Sequence, residues 1–532
     1  MNYISTRDTA VKVSAASAIA SGISKEGGLY VPENLPKLEK DDFAALCKMS
    51  YPERASFVLG KFLGDFTKDE VDYCTKGAYV GTFDDDKPAP LYNLYDDVQI
   101  LELWHGPTCA FKDLALQILP FLLTTSAGKV SGGKKTVILV ATSGDTGKAA
   151  LEGFKDVPGT EIMVFYPSEG VSPMQKLQMD TQEGKNVSVY AIKGNFDDAQ
   201  SGVKRIFTDP EIGEKLNQNN MLFSSANSIN WGRLAPQIVY YVSSYCDMLS
   251  AGKDLKNGFN VAVPTGNFGN ILAAYYAKQM GVPVNKLICA SNKNKVLSDF
   301  LNTGVYDRNR DFYTTISPSM DILISSNLER MLFEISGRNA AKTVEWQTAL
   351  KQNGKYTVDA DVKAKLDDLF YGGYCDDEKT KATIKMVYDK YGYLCDTHTA
   401  VAISVYEDYK AKTGDALPVV IASTASPYKF SASVLSAFGK APSNDEFETV
   451  NQLSELTGTV PPTPIKALRG KEVRFNNLCT PETMDDAVLK LKSYEAMVNV
   501  ANGQSTKIII PSEMQNMAGL VSTAAEIFKD TK

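Results

Sequence analysis

Histidine is scarce: His105 and His398 are the only two in 532 residues. That is too few for a multi-histidine metal centre, and neither stands in the nucleophile-elbow setting of a Ser-His-Asp hydrolase. The eight cysteines are scattered and include no Cys-x-x-Cys pair. Their spacing argues against a disulfide framework or a zinc site and for reduced thiols. No run of about 20 apolar residues is present, so no membrane-spanning helix is expected. Met1-Asn2-Tyr3-Ile4-Ser5 lacks a basic n-region and an apolar h-region, and a cytoplasmic address is the expectation. Basic residues are outnumbered, 56 against 63, for a net charge of −7, which argues against nucleic acid or an anionic membrane as main partner. Internal repeats are absent, and the only biased segment is Pro461-Pro462-Thr463-Pro464, read as a linker. What remains is an ordinary globular composition, 44% hydrophobic and 22% charged, long enough for two or three domains.

Along the chain, Val11 to Ser21 reads as a small-residue helix closed by Gly22. Gly27-Gly28-Leu29-Tyr30-Val31-Pro32-Glu33 reads as a turn feeding an extended piece, and Asp42 to Gly64 and Lys68 to Gly77 read as helices. A βαβ rhythm follows. Apolar strands at Thr136–Ala141, Glu161–Tyr166 and Val187–Ile192 alternate with helices at Lys148–Phe154 and Asp197–Phe207. The rhythm returns with the strand Phe259–Val263, the helix Ile271–Met280 and the strands Leu287–Ala290 and Leu417–Ser423. Such runs imply parallel sheets covered by helices on both faces. Residues 340–392 are charged and helical with a loop expected at Gly372-Gly373, and the chain changes character beyond about 440.

Lys112 lies in Leu103-Trp104-His105-Gly106-Pro107-Thr108-Cys109-Ala110-Phe111-Lys112-Asp113. Gly106-Pro107 forces a turn before the amphipathic run from Phe111 to Leu123, so Lys112 falls at a turn-to-helix junction. Packed beside Phe111 and apolar neighbours, its amine is partly desolvated, which lowers its pKa and makes it nucleophilic. An arbitrary lysine in a helix's first turn is more often simply solvated.

Three further loops follow predicted strands, where parallel sheets collect ligands. Ala141-Thr142-Ser143-Gly144-Asp145-Thr146-Gly147-Lys148 offers hydroxyls and backbone N–H groups to an anion at a helix start. It fails as a P-loop, because Thr142 replaces the first glycine and Ala149 the Mg²⁺-binding Ser or Thr. Pro264-Thr265-Gly266-Asn267-Phe268-Gly269-Asn270 has two glycines that let the backbone close on a phosphate, but not the third glycine of a dinucleotide fingerprint. Asn227-Ser228-Ile229-Asn230-Trp231-Gly232-Arg233 sets an arginine fork near three polar side chains. Taken singly, each also reads as a plain turn. Thr424, after the last strand, offers a hydroxyl at a strand end.

His-Gly-Pro-Thr-x-Ala-Phe-Lys-Asp around Lys112 resembles the segment carrying the cofactor lysine in threonine synthases, which are fold type II pyridoxal phosphate enzymes. The likeness runs from Gly28-Leu29-Tyr30-Val31-Pro32-Glu33 through the Thr424 loop. It implies an α/β, two-lobed fold type II core at 101–440, with a smaller lobe at about 130–240 and the charged helical insertion at 340–392. A small N-terminal domain at 1–100 and a C-terminal extension at 441–532 complete the expectation.

The resemblance also implies site roles. Lys112 would carry the cofactor in a Schiff-base link and serve as the catalytic base. Gly266, Asn267, Phe268, Gly269 and Asn270 would cup its phosphate, and Thr424 would face its ring nitrogen. Ser143, Gly144 and Thr146 would grip the amino-acid carboxylate. Asn227, Ser228, Arg233 and Lys148 would position a second phosphate. Many fold type II relatives carry Asn where this chain has Asp145, which near the cofactor would need a shared proton. His398, in a family-like stretch, reads as packing or support. No metal is implied, and no oligomeric state. The implied reaction converts O-phospho-L-homoserine and water to L-threonine and phosphate. A related phospho-lyase or a serine/threonine dehydratase is the enzymatic alternative. A cofactor- or metabolite-binding relic of the fold is the non-enzymatic one.

Overall fold

A computed structural model describes residues 1–489 apart from 85, 86, 143 and 170. Residues 1–481 form one compact unit and 482–532 a second, of which 482–489 are described.

The first unit starts with an antiparallel sheet, β1 (Asn2–Ser5), β2 (Lys12–Ser14) and β3 (Tyr30–Pro32), ordered β2-β1-β3. The expected helix from Val11 is shorter than predicted. Residues 12–14 pair as β2, and the helix spans Ala15–Ser21 with Ser14 as its N-cap and Gly22 (φ 73°) closing it. Asp42–Gly64 is two helices, Lys40–Leu46 and Tyr51–Phe62. Ser50 and Glu53 form a capping box there and Pro52 sits in the first turn, a start signal inside what the pattern reads as one run.

Eleven strands build the two main sheets. β4 (Leu91–Tyr95) and β5 (Val98–Glu102) precede the lysine segment. β6 (Lys135–Ala141), β7 (Thr160–Pro167), β8 (Val187–Ile192) and β9 (Met221–Ser225) follow it. Then come β10 (Phe259–Pro264) and β11 (Val284–Ser291), a small antiparallel pair β12 (Val305–Asp307) and β13 (Lys355–Thr357), and β14 (Phe370–Tyr374). β15 (Val419–Ser423) and β16 (Asn477–Cys479) complete the set. One sheet is ordered β14-β11-β10-β15-β5-β4, parallel except for the β4 edge. The other is ordered β16-β8-β7-β6-β9 and is parallel throughout. Every residue of β10 and β15 is buried, as a sheet covered on both faces requires.

Gly372 and Gly373 lie within the edge strand β14, not in a loop. A Cβ at Gly373 would fall 2.6 Å from Val405 Cγ1, and one at Gly372 would fall 3.0 Å from the Ser298 carbonyl oxygen. These glycines serve close helix-on-strand packing, which a turn reading overlooks. Pro462 caps a short helix, Thr463–Lys466, whose Ile465 is fully buried, so the proline cluster is no linker between separate units. Val450, Leu453, Ile465 and Leu468 join the core beneath β10 and β15. No described helix is long and apolar enough to cross a membrane.

Candidate active site

The segments that follow β5, β15 and β10 leave adjacent strands of one sheet, and those after β6 and β9 leave adjacent strands of the other. All five motif loops therefore sit at carboxyl strand ends, where parallel sheets turn loops and helix N-termini toward ligands.

The lysine segment is folded by its own side chains. Asp113 accepts from Thr108 N at 2.8 Å and from Thr108 Oγ1 at 2.7 Å. A Cβ on Gly106 would meet the Asp113 side chain at 2.5 Å, so this turn needs glycine there. Burial pushes the Asp113 carboxyl up to about 6, against the Thr108 hydrogen bonds. The segment is laced to the Thr424 loop: Phe111 N donates to Thr424 O at 2.8 Å, and Ser426 N donates to Cys109 O at 3.1 Å. Lys112 begins the short helix Asp113–Leu116, with its side chain 11% exposed and Nζ 3.6 Å from Asp145 Oδ2. Burial lowers the Lys112 amine to about 8 against the pull of Asp145, and the nearby charges of Lys429 and Arg233 add to the lowering.

The second loop opens the helix Asp145–Phe154, three residues earlier than the apolar pattern predicts. Thr142 replaces a P-loop glycine for a local reason: its Oγ1 accepts from Gly144 N at 3.0 Å and from Gly147 N at 2.9 Å. Gly144 has φ 140°, and a Cβ there would strike the Gln175 amide at 2.5 Å. Asp145 Oδ1 is held by Lys429 Nζ at 2.7 Å and Gln175 Nε2 at 2.8 Å, and Oδ2 accepts from Ser319 Oγ at 3.3 Å. Burial alone would raise the Asp145 carboxyl, but Lys429 and Lys112 outweigh it and hold the group well below the usual carboxylate range. Thr146 is half-buried in the first helical turn, and Ser143 lies outside the described residues. Lys148 donates to Glu152 Oε2 at 2.8 Å and to Gln182. Burial lowers its amine and Glu152 opposes that.

The third loop joins β10 to the helix Gly269–Met280. Its left-handed residue is Phe268 (φ 63°), so neither Gly266 nor Gly269 is present for a positive φ. Close approach explains them instead. A Cβ on Gly266 would lie 2.7 Å from Ser319 O. Gly269 faces Asn327 Nδ2, Gln237 Nε2 and Ser228 Cβ at 3.5 to 3.8 Å from an ideal Cβ position, which brings the third and fourth loops side by side. The buried amide donors Asn270 Nδ2 and Asn327 Nδ2 have no protein partner. Asn267 O accepts from Asn327 N at 3.1 Å.

In the fourth loop, Arg233 is 3% exposed, and its Nη1 donates to Ala226 O at 2.8 Å. Its Nε and Asn227 Oδ1 are buried without partners. Burial pulls the guanidinium down to about 10, and among the described residues no carboxylate offsets that. Ser228 and Ile229 carbonyls accept from Arg330 Nη1 and Nη2 at 3.4 and 2.6 Å.

His398 is buried; its Nε2 accepts from Ser319 N at 3.1 Å and its Nδ1 faces Asp396 Oδ2 at 2.7 Å. It therefore supports the segment that packs on Gly266 and reaches Asp145.

Lys429, Gln175, Ser319, Asn327 and Arg330 escape the sequence reading. Lys429 is two residues beyond Pro427, the end of the Thr424 motif, and a lysine's default is solvent. The others lie on elements with no motif of their own. Among the described residues no group of three or more His, Cys, Asp or Glu could hold a metal ion.

Three family models match along the chain: threonine synthase N terminus at residues 2–79, pyridoxal-phosphate dependent enzyme at 95–424, and threonine synthase C-terminal at 399–482. Human threonine synthase-like 1 is 40% identical over 454 residues, 82% of this chain, which spans only 60% of that longer protein. Threonine synthase of Pseudomonas aeruginosa is 39% identical, with 83% of this chain and 92% of that protein aligned. The crystal structure of pyridoxal-phosphate-bound threonine synthase from Brucella melitensis superposes with a TM-score of 0.81 at 36% identity, covering 92% of this chain and 98% of that one. With sequence and fold agreeing over this length, the chain belongs to the threonine synthase family of pyridoxal-phosphate-dependent enzymes.

Proposed function

We propose that this protein converts O-phospho-L-homoserine and water to L-threonine and inorganic phosphate, with pyridoxal phosphate carried on Lys112. The observation that carries the substrate reading is Arg233, a buried guanidinium with an unpartnered Nε and no counter-charge among the described residues. Burying a cation in that state costs several kcal/mol, a penalty that an anionic ligand removes. Asn227 and Ser228 stand on the same loop and take the same phosphate in this reading. Lys148 is the weaker member, because Glu152 and Gln182 already occupy its amine.

The residues present fit the cofactor. A phosphate suits the start of the helix Gly269–Met280, where the unpartnered Asn327 amide lies beside Gly269 and the unpartnered Asn270 amide sits in the first turn. An amine brought down to about 8 suits attack on an aldehyde. Thr424 is assigned to the ring nitrogen, Asp145 to the cofactor side of Lys112, and Ser143, Gly144 and Thr146 to the substrate carboxylate. Bound pyridoxal phosphate supplies an electron sink for negative charge that develops beside the substrate's amino group. Lys112 Nζ takes the α-proton and carries protons at Cβ, while Arg233 holds the leaving phosphate at Cγ. Asp145, with its carboxylate kept ionised, faces that amine.

The domain division proposed is 1–100, 101–440 and 441–532, and the compartment proposed is the cytoplasm, on the scatter of the cysteines. The deciding experiment incubates the purified protein with O-phosphohomoserine and quantifies threonine and phosphate together. Equal yields of both support the reading. A keto acid in place of threonine, with phosphate released, overturns it in favour of the related phospho-lyase.

A further inference from the structure

Lys429 has no part in the assignments above, yet it is a fully buried cation close to Lys112. Its side chain is 0% exposed, on the short 3₁₀ turn Pro427–Phe430 behind the Thr424 loop. Two acceptors hold its ammonium: Asp145 Oδ1 at 2.7 Å and the Thr108 carbonyl at 2.9 Å. Together they join three motif loops, because Thr108 lies in the lysine segment, Asp145 in the second loop and Lys429 just past Thr424.

The division of labour on the Asp145 carboxylate is specific. Oδ1 is filled by Lys429 and Gln175, whereas Oδ2 faces Lys112 Nζ at 3.6 Å and Ser319 Oγ at 3.3 Å. Without its cation partner the buried carboxylate would swing to pair fully with Lys112. We propose that Lys429 is a positioning residue of the reaction: paired with Asp145 as a charge-neutral unit, it fixes the carboxylate so that Oδ2 stands at the reacting amine of Lys112. The inference rests on Lys112 carrying the cofactor.

Other charged or titratable groups face the pair. Arg233 and Lys112 bear on the same space, Asp113 and Cys109 feel Lys429 from the lysine segment, and His398 reaches it through Ser319. None of these neutralises Asp145 as Lys429 does, at direct hydrogen-bond distance.

The test is a pH titration of the absorption of the lysine-bound cofactor in the holoenzyme. An anion beside the protonated link raises its midpoint and a cation lowers it. Lys429→Met therefore moves the midpoint up by as much as about three pH units, the ceiling set by one unit charge near 4 Å at an effective dielectric of about 20. Asp145→Asn moves it down. The double variant, which removes both charges, returns close to wild type, and Lys429→Arg stays there. A buried unpaired carboxylate can prevent Lys429→Met from folding, in which case the double variant and Lys429→Arg decide. An unmoved midpoint in Lys429→Met, or a double variant displaced as far as a single one, overturns the proposal. Borohydride reduction and peptide mapping of each holoenzyme separate the two readings. An adduct at Lys112 with an unmoved midpoint defeats the role of Lys429 alone, whereas an adduct elsewhere removes Lys112 and this proposal with it.

Discussion

Replacing Arg233 tests substrate identity, where changes at the cofactor loops test only the cofactor. Its Nη1 is committed to the Ala226 carbonyl at 2.8 Å, which leaves the Nε and Nη2 edge for an anion, and Nε is buried with no partner. Two charge-assisted hydrogen bonds at about 1.5–3 kcal/mol each give a loss of about 3–6 kcal/mol in Arg233→Ala. That corresponds to roughly a 10²- to 10⁴-fold fall in kcat/KM for O-phosphohomoserine. Arg233→Lys recovers only part of it, because the ammonium keeps the charge but loses the fork. Stability supplies an independent sign. The ligand-free protein bears an uncompensated buried cation, so Arg233→Met leaves its Tm unchanged or raises it, while the wild type gains Tm from added inorganic phosphate. The cofactor spectrum stays the same in all three variants. Normal turnover in Arg233→Ala, or loss of the cofactor from it, would refute the reasoning and send the second anion site elsewhere.

Borohydride reduction of the yellow holoenzyme should bleach its visible band and leave one adduct, on Lys112. Capture of pyridoxal phosphate by cofactor-free protein should speed up with pH and level off above about 8, since only the neutral amine attacks. Gly269→Ala should keep cofactor affinity, because its Cβ makes ordinary contacts of 3.5 Å or more, whereas the branches of Val should fill the space before Asn327 and Gln237 and weaken binding in equilibrium titrations. His105 is raised to about 9: burial opposes its charge, but hydrogen bonds to Asp84 and Glu102 prevail. Its contribution to stability is therefore full below about 6.5 and fades as pH climbs through about 9, and denaturant titrations of His105→Gln should lack that decline.

Legibility in the sequence followed periodicity and local chemistry. Buried parallel strands announce themselves as apolar runs, so β6, β7, β8 and β10 fall within a residue or two of expectation. Loops at their ends were legible because Gly, Pro and hydroxyl residues cluster there. What stayed hidden was long-range. The glycines of β14 carry no periodic signal, and only the helices that press on them explain their identity. Lys429 and Asp145 are 284 residues apart by number (429 − 145), and nothing local to either reveals the pair. Gly269 illustrates a different gap: glycine suggests a left-handed turn, but Phe268 takes that conformation and Gly269 is small for its neighbours' sake.

Arg330 shows why the amino-terminal segment matters to a site it does not enter. The guanidinium is fully buried, and burial pulls it down to about 10, yet it has no carboxylate within hydrogen-bond reach among its described partners. Neutral oxygens satisfy it instead: Nε donates to Tyr30 O at 3.0 Å, Nη2 to Ile229 O at 2.6 Å, and Nη1 to the side-chain Oδ1 of Asn327. Tyr30 belongs to β3, Ile229 to the Arg233 loop, and Asn327 is the side chain whose free Nδ2 faces Gly269. A planar cation with several fixed donors can hold three such acceptors at set angles, which a flexible ammonium cannot. Each acceptor would otherwise be a buried carbonyl or amide oxygen without a partner, at a cost of about 1–3 kcal/mol. The strand that ends Gly28-Leu29-Tyr30-Val31-Pro32 therefore braces the loops proposed to take the two phosphates through a single side chain, that of Arg330. The family likeness of that short motif has a physical reason even though none of its own side chains reaches the chemistry.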